Sequence, residues 1–260
     1  MTNTNNITVA YESRNSRDKP SAEDYLALID QRVEFYKDQL KRHPIVPLLK
    51  KNAVPRSILV DYAAIQYADS LLWVPMLALL KDRVKNERLK QALRENLLCE
   101  AGANATSHVE ICRRFIESTG ANLDDIDFAS ISGGQVIRSV AVADLSEPQI
   151  AGWILTAETL VPLQFALFLD SFRKIGAVDL TYLIEHVAVD TDEHSQWMRE
   201  SCLELLKESD CFNEILSGID IGGRVQLRDP DVLYAKTKRI KPVGALVEHV
   251  HSISCSTQCA

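Results

Sequence analysis

The sequence predicts an all-α protein, a bundle of about seven helices in one domain. Three observations carry that prediction. The 260 residues are 46% hydrophobic with only 10 Gly and 9 Pro, which supplies apolar mass for one sizeable core and few chain breakers. Segment after segment opens on a capping residue and closes on glycine, the punctuation of helices. No segment sustains the period-2 alternation of a half-buried strand, and no internal repeat is visible.

The first 20 residues, MTNTNNITVAYESRNSRDKP, are polar and are expected to be disordered. Residues 21–240 are the expected helical domain, and 241–260 a C-terminal tail. Ser21 and Asp24 form a capping-box-like start to a first helix that runs to about Leu40. HPIVPLLKK then reads as a Pro-bounded turn segment. PRSILVDYAAIQYADSLLWVPMLALLKD is a long apolar helix, expected to bend near Pro75 because proline lacks a backbone donor and crowds the preceding turn. NERLKQALRENLLCEAG ends at Gly102 and TSHVEICRRFIESTG at Gly120. Ala121 to Leu145 is less regular. SEPQIAGWILTAETLVPLQFALFLDSFRKIG has Ser146 as N-cap, Pro148 in the first turn and Gly176 beyond its end. DLTYLIEHVAVDTDEHSQWMRESCLELLKES reads as one further helix, and a weaker helical region occupies roughly 211–240.

A formal charge of -7 with no sustained Lys/Arg block argues against nucleic acid and against an anionic membrane surface, since both need a basic face. The N-terminus has no apolar stretch, and the longest apolar run, LLWVPMLALL, is short of the ~20 residues that span a bilayer and is interrupted by Pro75. A cytoplasmic protein that binds a small molecule, assembled as a homodimer, is the expectation. Six cysteines without framework spacing, Cys99, Cys112, Cys202, Cys211, Cys255 and Cys259, read as free thiols. His249, His251, Cys255 and Cys259 crowd the tail, but their spacing is not a standard zinc pattern and a frayed polar terminus is the better reading.

Polar residues inside apolar helices point to chemistry. In HVAVDTDEH, positions 186, 190 and 194 drift by only about 40° per step, so His186, Asp190 and His194 share one side of a helix. A solvated polar stripe is the alternative, with Asp192, Glu193, Gln196 and Arg199 close by. Glu158 lies in GWILTAETLVPLQFALFL, where an unpaired buried carboxylate would cost several kcal/mol or stay protonated. It needs a cation. Glu100 ends the apolar ENLLCE turn, His108 follows eight residues later, and Asp69 sits within IQYADSLLWV. Ordinary readings stay open for each: a buried Arg or Lys beside Glu158, solvent beside Glu100, a helix N-terminus for His108. Together, helices of one bundle that supply carboxylates and imidazoles form the pattern of a carboxylate-bridged iron pair.

Over roughly residues 25 to 225 the chain resembles the haem-oxygenase-like diiron oxidases and oxygenases. The resemblance rests on HPIVPLLKK, the QYA of the second helix, ENLLCEAG followed by His108, Glu158 in the fifth helix and H-x3-D-x3-H in the sixth. It implies a haem-oxygenase-like bundle in which Glu100, His108, Glu158, His186, Asp190 and His194 match the family's six metal ligands. Many members space the last histidine one residue closer, and some add a carboxylate from the second helix, for which Asp69 is the nearest candidate. The implied cofactors are two Fe(II) ions, with O2 as co-substrate and an oxidant directed at a C–H or C–N bond. The resemblance implies Glu158 and Asp190 as the catalytic carboxylates, which would shift or bridge as the iron charge rises. Cys99 is expected to point elsewhere on its helix.

Relatives on the same fold are disfavoured. Haem oxygenase needs a proximal histidine early in the first helix, and none precedes His43. Thiaminase-like members need a bundle cysteine in the active site, and the cofactorless quinone-forming members have no use for this residue set. The implied substrate is a small carboxylate-bearing molecule, an amino acid or derivative, undergoing desaturation, N-oxygenation or oxidative C–C cleavage in specialised metabolism. Arg138 is the candidate carboxylate clamp, against the prior that most arginines are solvated. Three alternatives stand beside this: a fatty-acid oxidative decarboxylase, a self-sacrificing para-aminobenzoate-forming enzyme that consumes Tyr25, Tyr36, Tyr62 or Tyr67, and a non-enzymatic metal-binding or interaction protein.

Overall fold

Helices start where side chains can replace the backbone partners missing from a first turn. In the computed structural model, which describes residues 20–102, 106–127, 144–189 and 193–239, Asp24 N–H donates to Ser21 Oγ at 3.1 Å and Ser21 N–H to Asp24 Oδ2 at 3.0 Å. That reciprocal pair opens α1 (Ala22–Lys41). A short α2 (Val46–Lys50) follows, then α3 (Arg56–Arg83), α4 (Glu87–Glu100), α5 (His108–Ser118), a 3-10 turn at Leu123–Asp125, α6 (Glu147–Lys174), α7 (Thr181–Val189), α8 (Glu193–Glu208) and α9 (Phe212–Arg239). Gly102, Gly120 and Gly176 adopt φ of 72°, 80° and 84° beyond the ends of α4, α5 and α6, a conformation only glycine takes without strain.

Among the described residues there are nine α-helices and no strand, two more helices than the periodicity predicts. One comes from the segment read as a turn, where Pro47 in the first turn and His43 organise α2: Ile45 N–H donates to His43 Nδ1 at 3.2 Å, and His43 Nε2 lies 3.0 Å from Asp231 Oδ1. The other comes from the segment read as one sixth helix, which is described as α7 and α8 on either side of 190–192. Residues 1–19, 128–143 and 240–260 fall outside the described residues, and with them Arg138 and the His249, His251, Cys255 and Cys259 tail. Cys112, Cys202 and Cys211 are buried free thiols.

The apolar side chains form two clusters strung along α6. Ile150, Trp153, Ile154 and Leu160 join one with α1, α4, α8 and the start of α9. Phe165, Phe168 and Phe172 join the other with α2, α5, α7 and the first half of α3. Glu158 sits on α6 where the two meet. Pro162 interrupts the same helix and cannot donate to the Glu158 carbonyl one turn back, which loosens the backbone at the carboxylate.

Two helices, α3 and α6, have the length and composition to cross a membrane, although the uninterrupted apolar run in α3 is short. Within the bundle 39% and 67% of their most apolar windows are buried.

α6 packs most extensively against α9. A Cβ on Gly152 would lie 2.2 Å from the Ile215 carbonyl oxygen, and one on Gly218 would lie 2.1 Å from that of Gln149. Both obstacles are backbone, so no side-chain rotation relieves them. Gly152→Ala is therefore expected to separate the two helices and destabilise the fold by about 1–3 kcal/mol, read as a lower denaturation midpoint in urea at unchanged slope. An unchanged midpoint would mean that the helices slide freely past each other.

Candidate metal centre

The buried stripe of α4 runs Leu89, Ala92, Leu93, Asn96, Glu100, the i, i+3, i+4 spacing of a core-facing surface. Its last two members are polar. Glu100 is 6% exposed at the helix end, and His108, the first residue of α5 after the Ser107 cap, is 7% exposed beside it. His186 on α7 is equally enclosed. Among the described residues these three form the group that can hold a metal ion, with one donor atom from each lying within 4.8 Å of the others.

The details suit a cation. His108 Nδ1 lies 2.7 Å from Glu100 Oε2, yet it is a buried atom without an aligned hydrogen bond. Two donor atoms of the kind a metal ion takes as ligands thus converge at ion-pair distance. The His108 and His186 rings stand 4.6 Å apart. His186 Nδ1 lies 2.7 Å from the Tyr182 carbonyl oxygen one turn back, which fixes the proton on Nδ1 and makes Nε2 the lone-pair nitrogen. Burial pulls the His108 imidazole down, but Cys99 and Glu100 outweigh it and raise its pKa to about 10. The cluster seeks positive charge.

A second carboxylate–imidazole pair lies nearby. Glu158, 5% exposed, accepts from Asn96 Nδ2 at 2.5 Å through Oε1, and its Oε2 is 3.4 Å from Nδ1 of His194, which is 1% exposed on α8. Glu158 faces a histidine and an amide, not the buried Arg or Lys left open by its sequence context. Glu100 is enclosed, not solvent-facing. Asp190 falls outside the described residues.

Cys99 departs from expectation. Contacts with His108 and His194 lower its pKa, so its sulfur faces both halves of the site and does not point elsewhere. The reason is tertiary: α5 and α8 bring imidazoles to both flanks of the α4 end, so a residue 100° round from Glu100 still meets the site.

Glu100, Glu158 and His186 open onto one cavity of about 100 Å3. Asp69, Gln66, Ser70, Gln226 and Asp229 line it with polar groups, and Trp73, Met76, Trp153, Val161 and Phe165 with apolar ones. No Lys or Arg is among its described lining residues. Tyr182 lines it as well, its phenol pushed well up by burial, whereas Tyr25, Tyr36, Tyr62 and Tyr67 do not. Tyr25 stacks on Phe212 and Tyr62 on Phe168.

Sequence reasoning missed Asn96, Tyr182, Gln226 and Asp229. Asn96 alone left a signal, one polar residue a turn before Glu100 in an apolar stripe. Tyr182 acts on His186 through its carbonyl, which any residue type would supply.

No curated protein matches the chain. A family described as iron-containing redox enzymes does, its model matching residues 60–226, well over half of the sequence. The donor set, the all-α bundle and that match agree, and the chain belongs to the haem-oxygenase-like family of iron-containing redox enzymes.

Proposed function

We propose that the protein is a non-haem diiron, O2-dependent oxidase or oxygenase acting on a small carboxylate-bearing substrate, an amino acid or derivative. The observation that carries this reading is the pair of buried carboxylate–imidazole groups, Glu100–His108–His186 and Glu158–His194, beside a single cavity. Oxygen and nitrogen donors of this kind favour iron over softer metals. Glu100, His108 and His186 would hold one ion; Glu158 and His194, with Asp190, the second; Asp69 is a candidate further carboxylate. When bound, the two Fe(II) ions supply the electrons that activate O2.

The chain supplies orientation and exclusion. The Tyr182 carbonyl holds the His186 ring by its Nδ1–H, so Nε2 meets its ligand without reorganising. Trp73, Met76, Trp153, Val161 and Phe165 keep bulk water from the reacting centre. Asp229 suits the ammonium of an amino acid, and Gln66, Ser70 and Gln226 its remaining polar atoms. A second reading, oxidation of the protein's own tyrosine, is favoured by the presence of Tyr182 in the cavity.

The test is anaerobic loading with Fe(II), metal analysis, then O2 uptake with candidate amino acids, amines and fatty acids. About two irons per chain and uptake coupled to amino-acid oxidation are expected. Uptake without any change in an organic molecule would identify iron storage. A mass change in the polypeptide without added substrate would identify the self-oxidising reading. Zinc in the Cys255 and Cys259 tail with the helical residues empty would overturn the diiron reading.

A further inference from the structure

Asn96 is fully buried, 0% exposed, on the core-facing stripe of α4 one turn before Glu100. Packing does not account for it. Leu89 and Leu93 fill the same stripe, and an amide there leaves its Oδ1 buried with no hydrogen-bond partner, which costs stability relative to an apolar side chain. What Asn96 does make is the 2.5 Å bond from Nδ2 to Glu158 Oε1. The amide orientation is fixed by charge, since the reverse rotamer would set one oxygen against another.

That bond divides the Glu158 carboxylate. Oε1 is occupied by a neutral donor, while Oε2 is turned toward His194 Nδ1 at 3.4 Å. We propose that Asn96 is a positioning residue for the metal centre, one that holds Glu158 as a one-oxygen ligand by occupying its other oxygen. The role rests on the reading that Glu158 binds a metal. Two consequences follow. Glu158 would offer a bound ion one oxygen where a chelating carboxylate would offer two, which would leave room for a small molecule. Glu158 is also restrained from bridging until the Asn96 bond is given up, so the shift expected of this carboxylate has Asn96 as its restraint.

The experiment uses Co(II), whose visible absorption per ion falls as coordination number rises, titrated anaerobically into the full chain. Wild type, Asn96→Leu, which keeps the branched four-atom outline and removes the donor, and Leu93→Ala, which weakens the same stripe one turn earlier, are compared. Asn96→Leu is expected to weaken one class of site by roughly 10–100-fold and to lower the absorption per bound ion as Glu158 becomes free to chelate. Leu93→Ala is expected to lower the melting temperature while leaving affinity and spectrum at wild-type values, which a purely structural role for Asn96 would not predict. Should Asn96→Leu fail to fold by circular dichroism, Asn96→Ser, too short to reach Glu158, is expected to show the same loss. Unchanged affinity and spectrum in the folded Asn96 variant would overturn the positioning role and leave the metal centre standing. Absence of Co(II) and Fe(II) binding in the wild type would overturn both.

Discussion

His186→Ala is expected to abolish iron binding at the Glu100–His108–His186 group and O2 consumption with it, while far-UV circular dichroism stays native. The loss should exceed the roughly 10–100-fold that follows removal of a mere supporting partner of a ligand, because a donor atom itself is removed. The fold is expected to survive the loss of this imidazole. It contacts the rings of His108, Phe165 and Tyr182 at 4.6, 5.1 and 4.5 Å, and truncation at one such position costs about 0.5–3 kcal/mol. Glu158→Ala is expected to behave alike at the other half, since Glu158 is bound to Asn96 and faces His194 but carries no part of either apolar cluster. Metal analysis, O2 uptake and a thermal melt on each variant make the check. Retention of iron and activity by both would remove the diiron reading.

Iron loading of the wild type is expected to raise its melting temperature markedly, and chelation to reverse the rise. Without an ion, Glu100 and Glu158 are nearly dry carboxylates, 6% and 5% exposed, beside His108 and His194 that are 7% and 1% exposed. Such a cluster is costly to bury, and a divalent ion that binds only the assembled site stabilises the fold by mass action. At free metal one hundred times the dissociation constant this is about 2.7 kcal/mol, a shift of roughly 5–10 °C for a chain of this size. Differential scanning calorimetry under anaerobic conditions measures it, with His186→Ala as control. A wild-type melt indifferent to Fe(II) would show that the cluster is satisfied without a metal.

The residues most legible in the sequence were those whose local context is anomalous. Glu158 stands out because nearly all its neighbours are uncharged and most are apolar for more than a full turn in each direction, and Glu100 and His108 because each interrupts or opens a helical stripe. Helix starts and stops were legible for the same reason: Ser21 caps with its own side chain, Ser146 N–H is met by the Gln149 side chain three residues on, and Gly102, Gly120 and Gly176 terminate with their own φ. These are short-range effects, decided within four residues of chain.

The sequence by itself therefore determined the all-α class, most helix boundaries and the kinship with iron-containing redox enzymes. Only the tertiary structure decided what surrounds each polar residue. Whether Glu158 meets a lysine, a histidine or an amide depends on Asn96, 62 residues away in the chain, and on His194. Cys99 illustrates the limit from the other side: a rule of helix geometry turns it away from Glu100, yet α5 and α8 bring His108 and His194 round to meet it. Propensity and periodicity act along one helix, whereas a buried donor set exists only between helices. Its partners are fixed by how closely those helices pack, down to the contacts that Gly152 and Gly218 permit between α6 and α9.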